Sequence, residues 1–220
     1  MSLLIFDFSV GAGSPTRAFA EAGHTVMTWN LDVRYKGPDT QKFMKLEAES
    51  LIREYGRPDF IWSSPPCITF SVASLHHHWG GGKLAYEPKT EDAKLNLLII
   101  EHLRDLILDL DPTYGFMIEN PRGVLRKLPL LAQFPRHTIT YCSYGDDRMK
   151  PTDLWTDLDT WVPRPKCSPG SPDHIAAPRG SSTGTIGRPK SERAIIPDQL
   201  AEEICMHVEE LAHARTKIAI

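Results

Sequence analysis

The sequence predicts an α/β fold, a doubly wound and mostly parallel sheet carrying a small loop-rich insert. Three observations predict it. Over the first 120 residues short β-type apolar runs alternate with helical stretches, the pattern of an open sheet with helices on both faces. The first run leads through a glycine-containing turn directly into a helix. Later runs end in Cys67 or in Glu119 and Asn120, at the carboxyl edge where open α/β sheets bind ligands.

Each element follows from local pattern. Leu3 to Phe8 is a buried strand, followed by Val10-Gly11-Ala12-Gly13 and a helix from about Pro15, with Ser14 as N-cap and Gly23 as its end. Thr25 to Trp29 is a second strand, Phe43 to Leu46 a weak third, and Asp59 to Ser63 a fourth that runs into Pro65-Pro66-Cys67. Glu91 to Leu110 places Leu95, Leu98, Ile99, Leu103, Leu106 and Leu110 at helical spacing, and Asp111-Pro112 stops the helix. Gly115 to Ile118 is a fifth strand. Ile139 to Cys142 and Leu154-Trp155 are further strands, residues 163 to 190 are dense in Gly and Pro, and Ile195 to Leu211 returns to an amphipathic helix entered through Pro197. The expected division is a core over 1–152, an insert over 153–194 and a helix over 195–220 that packs back on the core.

Composition bounds the function. The chain has 220 residues, 41% of them hydrophobic and 24% charged, as in one globular domain. Its longest apolar runs, such as Leu97 to Ile100, are far short of the roughly 18 to 20 residues that span a bilayer, and no signal-type leader opens it. Cys67, Cys142, Cys167 and Cys205 are widely spaced with no CxxC pair, so neither a disulfide framework nor a zinc ribbon is expected, and a reducing cytoplasm fits best. Cys142 and Cys205 are read as core cysteines. The net charge of -3 conceals an asymmetry: residues 1–120 carry 11 Lys and Arg against 16 Asp and Glu, whereas residues 121–193 carry 12 against 7. That basic middle is where a polyanion would dock.

Four segments carry chemistry. In DFSVGAGSPT, Gly11 and Gly13 let the backbone turn sharply and approach a ligand, although the pattern is not GxGxxG and disfavours a dinucleotide. Near the end of strand two, Asp32 or Asn30 is placed to accept from ribose hydroxyls. SSPPC puts Cys67 directly after a strand, where a nearby cation or helix N-terminus would lower its pKa and make it a nucleophile. GFMIENP delivers Glu119 and Asn120 to the same edge, where a partly desolvated carboxyl could share a proton with a heterocycle. YGDDRMKPTDLW sets Arg148 and Lys150 two apart on one side of an extended strand, which by itself describes a solvated edge.

In this order the segments resemble the cytosine-5 DNA methyltransferase family. DFSVGAG is similar to its S-adenosylmethionine loop, SSPPCITFS to its Pro-Cys nucleophile motif, and MIENP to its Glu-Asn-Val segment with Pro121 for Val. Tyr144-Gly145 with Arg148 and Lys150 resembles the Gln-x-Arg-x-Arg strand, Arg148 taking the Gln position, Lys150 that of the first Arg and Thr152 that of the second. The final Asn-rich motif is not visible, although IIPDQLAEEI resembles the helix after it. The resemblance implies S-adenosylmethionine as cofactor, with Phe8, Gly11, Gly13, Asn30, Asp32, Glu47 and Pro65 around it. It implies a flipped cytosine in double-stranded DNA as substrate, with Cys67, Glu119, Arg148 and Lys150 as the catalytic set. A restriction or specificity partner is a further expectation.

The recognition region is short, and Arg164, Lys166, Arg179, Arg188, Lys190 and Arg193 would grip phosphates more than read bases. Relaxed sequence preference, or dependence on a partner or dimer, follows. Methylation of cytosine in RNA and a non-catalytic nucleic-acid-binding role are the alternatives. His76-His77-His78-Trp79 before Gly80 to Gly82 suggests a mobile lid whose Trp and His cover a flipped base, and Cys167 with Asp173 and His174 is read as ordinary loop, so no metal site is expected. The Asp153 to Trp155 strand and Trp161 are read as packing.

Overall fold

The computed structural model describes residues 2–9, 15–31, 38–81, 86–172, 174–177, 180–181 and 183–218, without the side chains of 38, 39, 190 and 218. In chain order the elements are β1 (Leu4–Ser9), α1 (Arg17–Glu21), β2 (Thr25–Asn30), α2 (Pro38–Phe43), α3 (Ala48–Tyr55), β3 (Phe60–Ser64), α4 (Leu75–His78), β4 (Trp79–Gly80), β5 (Glu87–Pro88) and α5 (Glu91–Leu110). Then come β6 (Phe116–Pro121), β7 (Arg136–Thr140), β8 (Pro151–Thr156), α6 (Lys190–Ala194) and α7 (Asp198–Ile218).

Six strands form one sheet in the order β2-β1-β3-β6-β8-β7. β2, β1, β3 and β6 run parallel, while β8 is antiparallel to both β6 and β7. This is the doubly wound, mostly parallel sheet that the alternation predicts. Period-two alternation in β1 sends Phe6 and Phe8 to one core, shared with α3 and α5, and Ile5 to the other, shared with α1 and α7. Burial on both faces explains why β1, β3 and β6 are nearly continuous apolar runs.

α5 spans the predicted residues. Thr90 caps it by accepting from the Ala93 amide at 3.2 Å, Glu91 and Asp92 oppose the helix dipole, and Asp111 ends it in the left-handed region at φ 44°. Gly23, at φ 89°, follows α1 as expected.

Several expectations are corrected. Phe43 to Leu46 is not a strand: Met44 and Leu46 bond back to Thr40 and Phe43, closing α2 with a turn, and buried Phe43 anchors it in the core. α3 went unpredicted although Ala48, Leu51, Ile52 and Tyr55 recur at i, i+3, i+4 and i+7. α1 starts at Arg17 with Thr16 at the N-cap, and the Thr16 hydroxyl donates to Asp7 at 2.7 Å; Ser14 lies outside the described residues. The expected boundary at 152/153 falls inside β8, and from Asp157 to Pro189 the described residues hold no strand or helix. Cys142 is not a lone core cysteine, because it forms a disulfide with Cys167.

Trp79 does not sit on a mobile lid. It is 4% exposed, its indole donates to the Thr69 carbonyl at 2.6 Å and packs on Phe70, and β4 pairs with β5. His78 is buried against Thr90 Oγ1 at 2.7 Å, leaving His76 and His77 exposed, while Gly82 lies outside the described residues. Trp155 and Trp161 are packed, as expected. Among the described residues no helix is long and apolar enough to cross a membrane.

Candidate active site

The topology decides which residues meet. β1, β3 and β6 are parallel, so Ser9, the Pro65-Pro66-Cys67 turn and Glu119 to Pro121 all emerge at one edge. β8 runs the other way, so that edge is where it begins, and Pro121 pairs with Thr152. Residues just before β8 and just after β7 therefore arrive at the same place, and the Tyr141 amide bonds the Met149 carbonyl at 2.9 Å.

The turn that bears Cys67 is held from several sides. The Asn120 side-chain amide donates to the Pro65 carbonyl at 3.3 Å, tying the nucleophile turn to the Glu119 strand. Ser63 donates to the Phe8 carbonyl at 2.6 Å, and the Ser64 amide donates to Ser9 Oγ at 3.1 Å. Buried Asn96 on α5 donates to Thr69 Oγ1 at 2.8 Å, and the Val124 amide bonds the Phe70 carbonyl at 2.7 Å. Gly123 permits that last approach, since a Cβ there would stand 2.1 Å from the Phe70 carbonyl oxygen. Two prolines, both buried, complete the restraint on Cys67, which is half-buried.

Around Cys67 lies a buried polar cluster. Glu119 is 5% exposed and accepts a hydrogen bond from the Tyr141 hydroxyl at 3.0 Å. Lys150 Nζ donates to the same hydroxyl at 3.2 Å and to the Arg193 carbonyl at 2.9 Å, and lies 4.4 Å from the Tyr141 ring centroid. Burial pushes the Cys67 thiol up; the Lys150 charge pulls it back down, and the Glu119 charge reinforces the rise. The nearby cation is thus present, but desolvation outweighs it and the thiol is not lowered as expected. Burial lowers the Lys150 ammonium against the opposing pull of Glu119 and Cys67. The Tyr141 phenol is held well above its usual range by burial and by the Glu119 charge.

The structure brings Cys67, Glu119 and Lys150 together. Arg148 and Lys150 precede β8 rather than lying on it, and neither is on a solvated edge. Arg148 is buried: its guanidinium pairs with Asp146 and donates to the Glu192 and Ile195 carbonyls, at 2.5 and 2.9 Å, so it staples the segment before α7. The basic insert is likewise partly spent. Arg164 pairs with Glu203 at 2.7 Å and stacks on Tyr144, and Arg188 pairs with Asp147; Lys166 and Arg193 are exposed, Arg179 lies outside the described residues, and only the backbone of Lys190 is described.

Of the expected cofactor residues, Gly11, Gly13 and Asp32 lie outside the described residues. Asn30 ends β2 on the active edge, and exposed Glu47 precedes α3 without spending its carboxylate on a cap. Pro65 is buried beside Asn120, whereas the Phe8 ring is fully buried, 5.0 Å from Trp29 and 6.0 Å from Phe43, in the sheet core. Tyr141 is the site residue that sequence reading missed. It looks like the interior of a strand, and only the pairing of β7 with β8 brings it to the edge.

No protein-family model matches the chain. A probable DNA (cytosine-5)-methyltransferase of Frog virus 3 is 27% identical over 159 residues, covering 66% of this chain and 73% of the relative. The resemblance carried by the motifs therefore extends to an aligned sequence, and the chain is similar to a cytosine-5 DNA methyltransferase over that span. Solved structures similar in part are the Entamoeba histolytica methyltransferase EhMeth (TM-score 0.47, 11% identity, 76% of this chain and 57% of that one) and S. pombe Dnmt2 (0.42, 12%, 74% and 52%). Spodoptera frugiperda DNMT2 gives 0.40 at 15% identity, covering 76% of this chain and 54% of that one. The chain spans a little over half the length of each of these solved proteins.

Proposed function

We propose that the chain transfers a methyl group to carbon 5 of cytosine in double-stranded DNA. The convergence of Cys67, Glu119 and Lys150 at one sheet edge carries this reading. The aligned viral relative supports the choice of base and polymer. A base must leave the stack for its ring carbons to reach a thiol held in a turn between strands.

In this reading the Cys67 thiolate adds to carbon 6 of the flipped cytosine, forming a carbon–sulfur bond and pushing electrons toward carbon 5. Glu119 hydrogen-bonds the ring nitrogen and exocyclic amine, placing a proton where negative charge develops. Lys150 supplies the positive charge that favours thiolate over thiol. Arg148 acts through position, holding the residues around Lys150. Carbon 5, once methylated, loses its proton to water, and the carbon 6–sulfur bond breaks to release the Cys67 thiolate and restore the aromatic ring.

In this reading Asn30, at the end of β2, and exposed Glu47, before α3, would meet hydroxyl and amine groups of S-adenosylmethionine, with buried Pro65 as an apolar wall; Gly11, Gly13 and Asp32, assigned to it by the sequence motif, lie outside the described residues. When bound there it supplies an electrophilic methyl group. With Arg164 and Arg188 paired to acids, two of the insert's cations are spent within the chain, and its small area for bases favours a short or relaxed target preference or a specificity partner.

The test is nucleoside mass spectrometry of duplex DNA and of RNA incubated with S-adenosylmethionine and either the native chain or Cys67→Ala. Methylcytosine in DNA that vanishes in the variant is the expected result. Methylcytosine confined to RNA overturns the choice of polymer, and its absence from both overturns the activity.

A further inference from the structure

Cys142, Cys167 and His174 form a cluster outside the proposed active site. Cys142 and Cys167 are 1% and 6% exposed, with Cα atoms 6.0 Å apart and their sulfurs bonded. His174 Nδ1 lies 3.3 Å from Cys167 Sγ, and the three potential ligand atoms all fall within 4.8 Å of one another. We propose that in its reduced form this cluster is a structural site for a zinc-type cation, with two thiolates and one imidazole as ligands.

Hydrogen bonds as well as the sulfur–sulfur bond hold the site. The Cys167 amide donates to Thr140 Oγ1 at 2.7 Å and to Ser143 Oγ at 2.8 Å, and Ser143 donates in turn to the Pro165 carbonyl at 2.7 Å. Cys167 thus stays docked on the end of β7, beside Cys142, when the disulfide opens. His174 is returned to it by a closed turn: the Ser171 amide bonds the Ser168 carbonyl at 2.9 Å, the Ser168 amide bonds Ser171 Oγ at 3.0 Å, and the His174 amide bonds the Ser171 carbonyl at 3.0 Å.

The spacing suits the metal. Zinc–sulfur bonds of about 2.3 Å and zinc–nitrogen bonds of about 2.0 Å in a tetrahedron put ligand atoms roughly 3.5 Å apart. The distance from Cys167 Sγ to the His174 imidazole already matches, and binding requires the two sulfurs to separate. Reduction by a cellular thiol takes two electrons and two protons into the pair and releases the reductant as its own disulfide; the cation then displaces the two thiol protons. Two thiolates buried at this depth would otherwise be strongly disfavoured, and a divalent cation offsets that cost. The three described ligands leave the fourth coordination position to water or to another side chain; Asp173, next to His174, lies outside the described residues.

The consequence is a clasp on the insert. The segment from Cys167 to His174 is joined to the turn after β7, one residue beyond Tyr141. This goes beyond the reading of these residues as ordinary loop, which their backbone matches. It stands independently of the proposed methyl transfer.

The experiment is metal analysis of the full chain, purified under thiol reductant and dialysed against zinc-free buffer. About one zinc per chain is expected, lost in Cys167→Ser and His174→Ala and retained in Cys205→Ser. Cobalt(II) titration of the native reduced chain should give the visible bands of a tetrahedral site and a near-ultraviolet thiolate charge-transfer band, so the answer does not depend on the variants folding. No bound zinc and no charge-transfer band in the reduced chain overturns the proposal. So does zinc that survives Cys167→Ser but leaves with Cys205→Ser, since that assigns the metal to the His24, Cys205 and Glu209 group.

Discussion

The Tyr141 hydroxyl donates to the Glu119 carboxylate at 3.0 Å and accepts from Lys150 at 3.2 Å, so one phenol joins the acid and the base that flank Cys67. The three residues come from β6, the end of β7 and the segment before β8. No pair of them is adjacent in sequence. The phenol fixes one oxygen of Glu119.

Tyr141→Phe keeps the ring against Lys150 and removes the hydroxyl alone. A hydrogen bond to a charged group is worth about 1.5–3 kcal/mol, so kcat for methyl transfer should fall about 10- to 100-fold. The far-ultraviolet circular dichroism should be unchanged. An unaltered kcat would remove Tyr141 from the positioning of Glu119.

The reactivity of Cys67 should follow the charges around it. The thiol is raised by burial, lowered by Lys150 and raised by Glu119, with a smaller lowering from Arg193. Alkylation by iodoacetamide, followed at the Cys67 peptide across pH, should therefore have its inflection above that of an ordinary thiol. Lys150→Met removes the cation and should move the inflection further up. Glu119→Gln removes the anion and should move it down. Shifts in the same direction for both variants would contradict the arrangement.

Asp146 and Arg148 make acid stability a local property. Burial raises the Asp146 carboxyl, but the hydrogen bonds and charge of Arg148 outweigh it and leave it below its usual value. A carboxylate lowered in the folded state contributes stability above its unfolded pKa of about 3.9 and loses it as pH falls through the folded value. Asp146→Asn should be less stable than the native chain at neutral pH, and the gap should narrow as the solution is acidified. Arg148→Met strands a largely buried carboxylate and should cost about 3–5 kcal/mol at pH 7, measured by urea unfolding.

Trp79 separates a lid from a brace. Its buried indole and its bond to Thr69 predict that Trp79→Ala destabilises the fold by about 3–5 kcal/mol. DNA affinity of the folded variant should stay within a few-fold of native. A large loss of affinity with little change in stability would restore the lid.

The fold class, most strand and helix positions, and the arrival at one sheet edge of the two residues on which the proposed chemistry rests are all legible in local sequence pattern. Cys67 and Glu119 each follow an apolar run in a parallel strand, and such strands deliver their carboxyl ends to one edge whatever their pairing. α5 was legible to the residue because its apolar period and its stop are both local. Tertiary structure decided what depends on an antiparallel partner or on charge compensation. β8 enters the sheet from the active edge, and that reversal, invisible in local pattern, gathers Lys150 and Tyr141 beside Glu119 and buries Arg148 in a staple. Arg164 and Arg188 read as free cations until Glu203 and Asp147, 39 residues after the one and 41 before the other, are seen to pair with them. Cys142 and Cys167, 25 residues apart, become neighbours only because the chain beyond β8 folds back onto the end of β7. Local pattern sets where a strand or helix forms, and contacts across the sheet set which side chains remain available for chemistry.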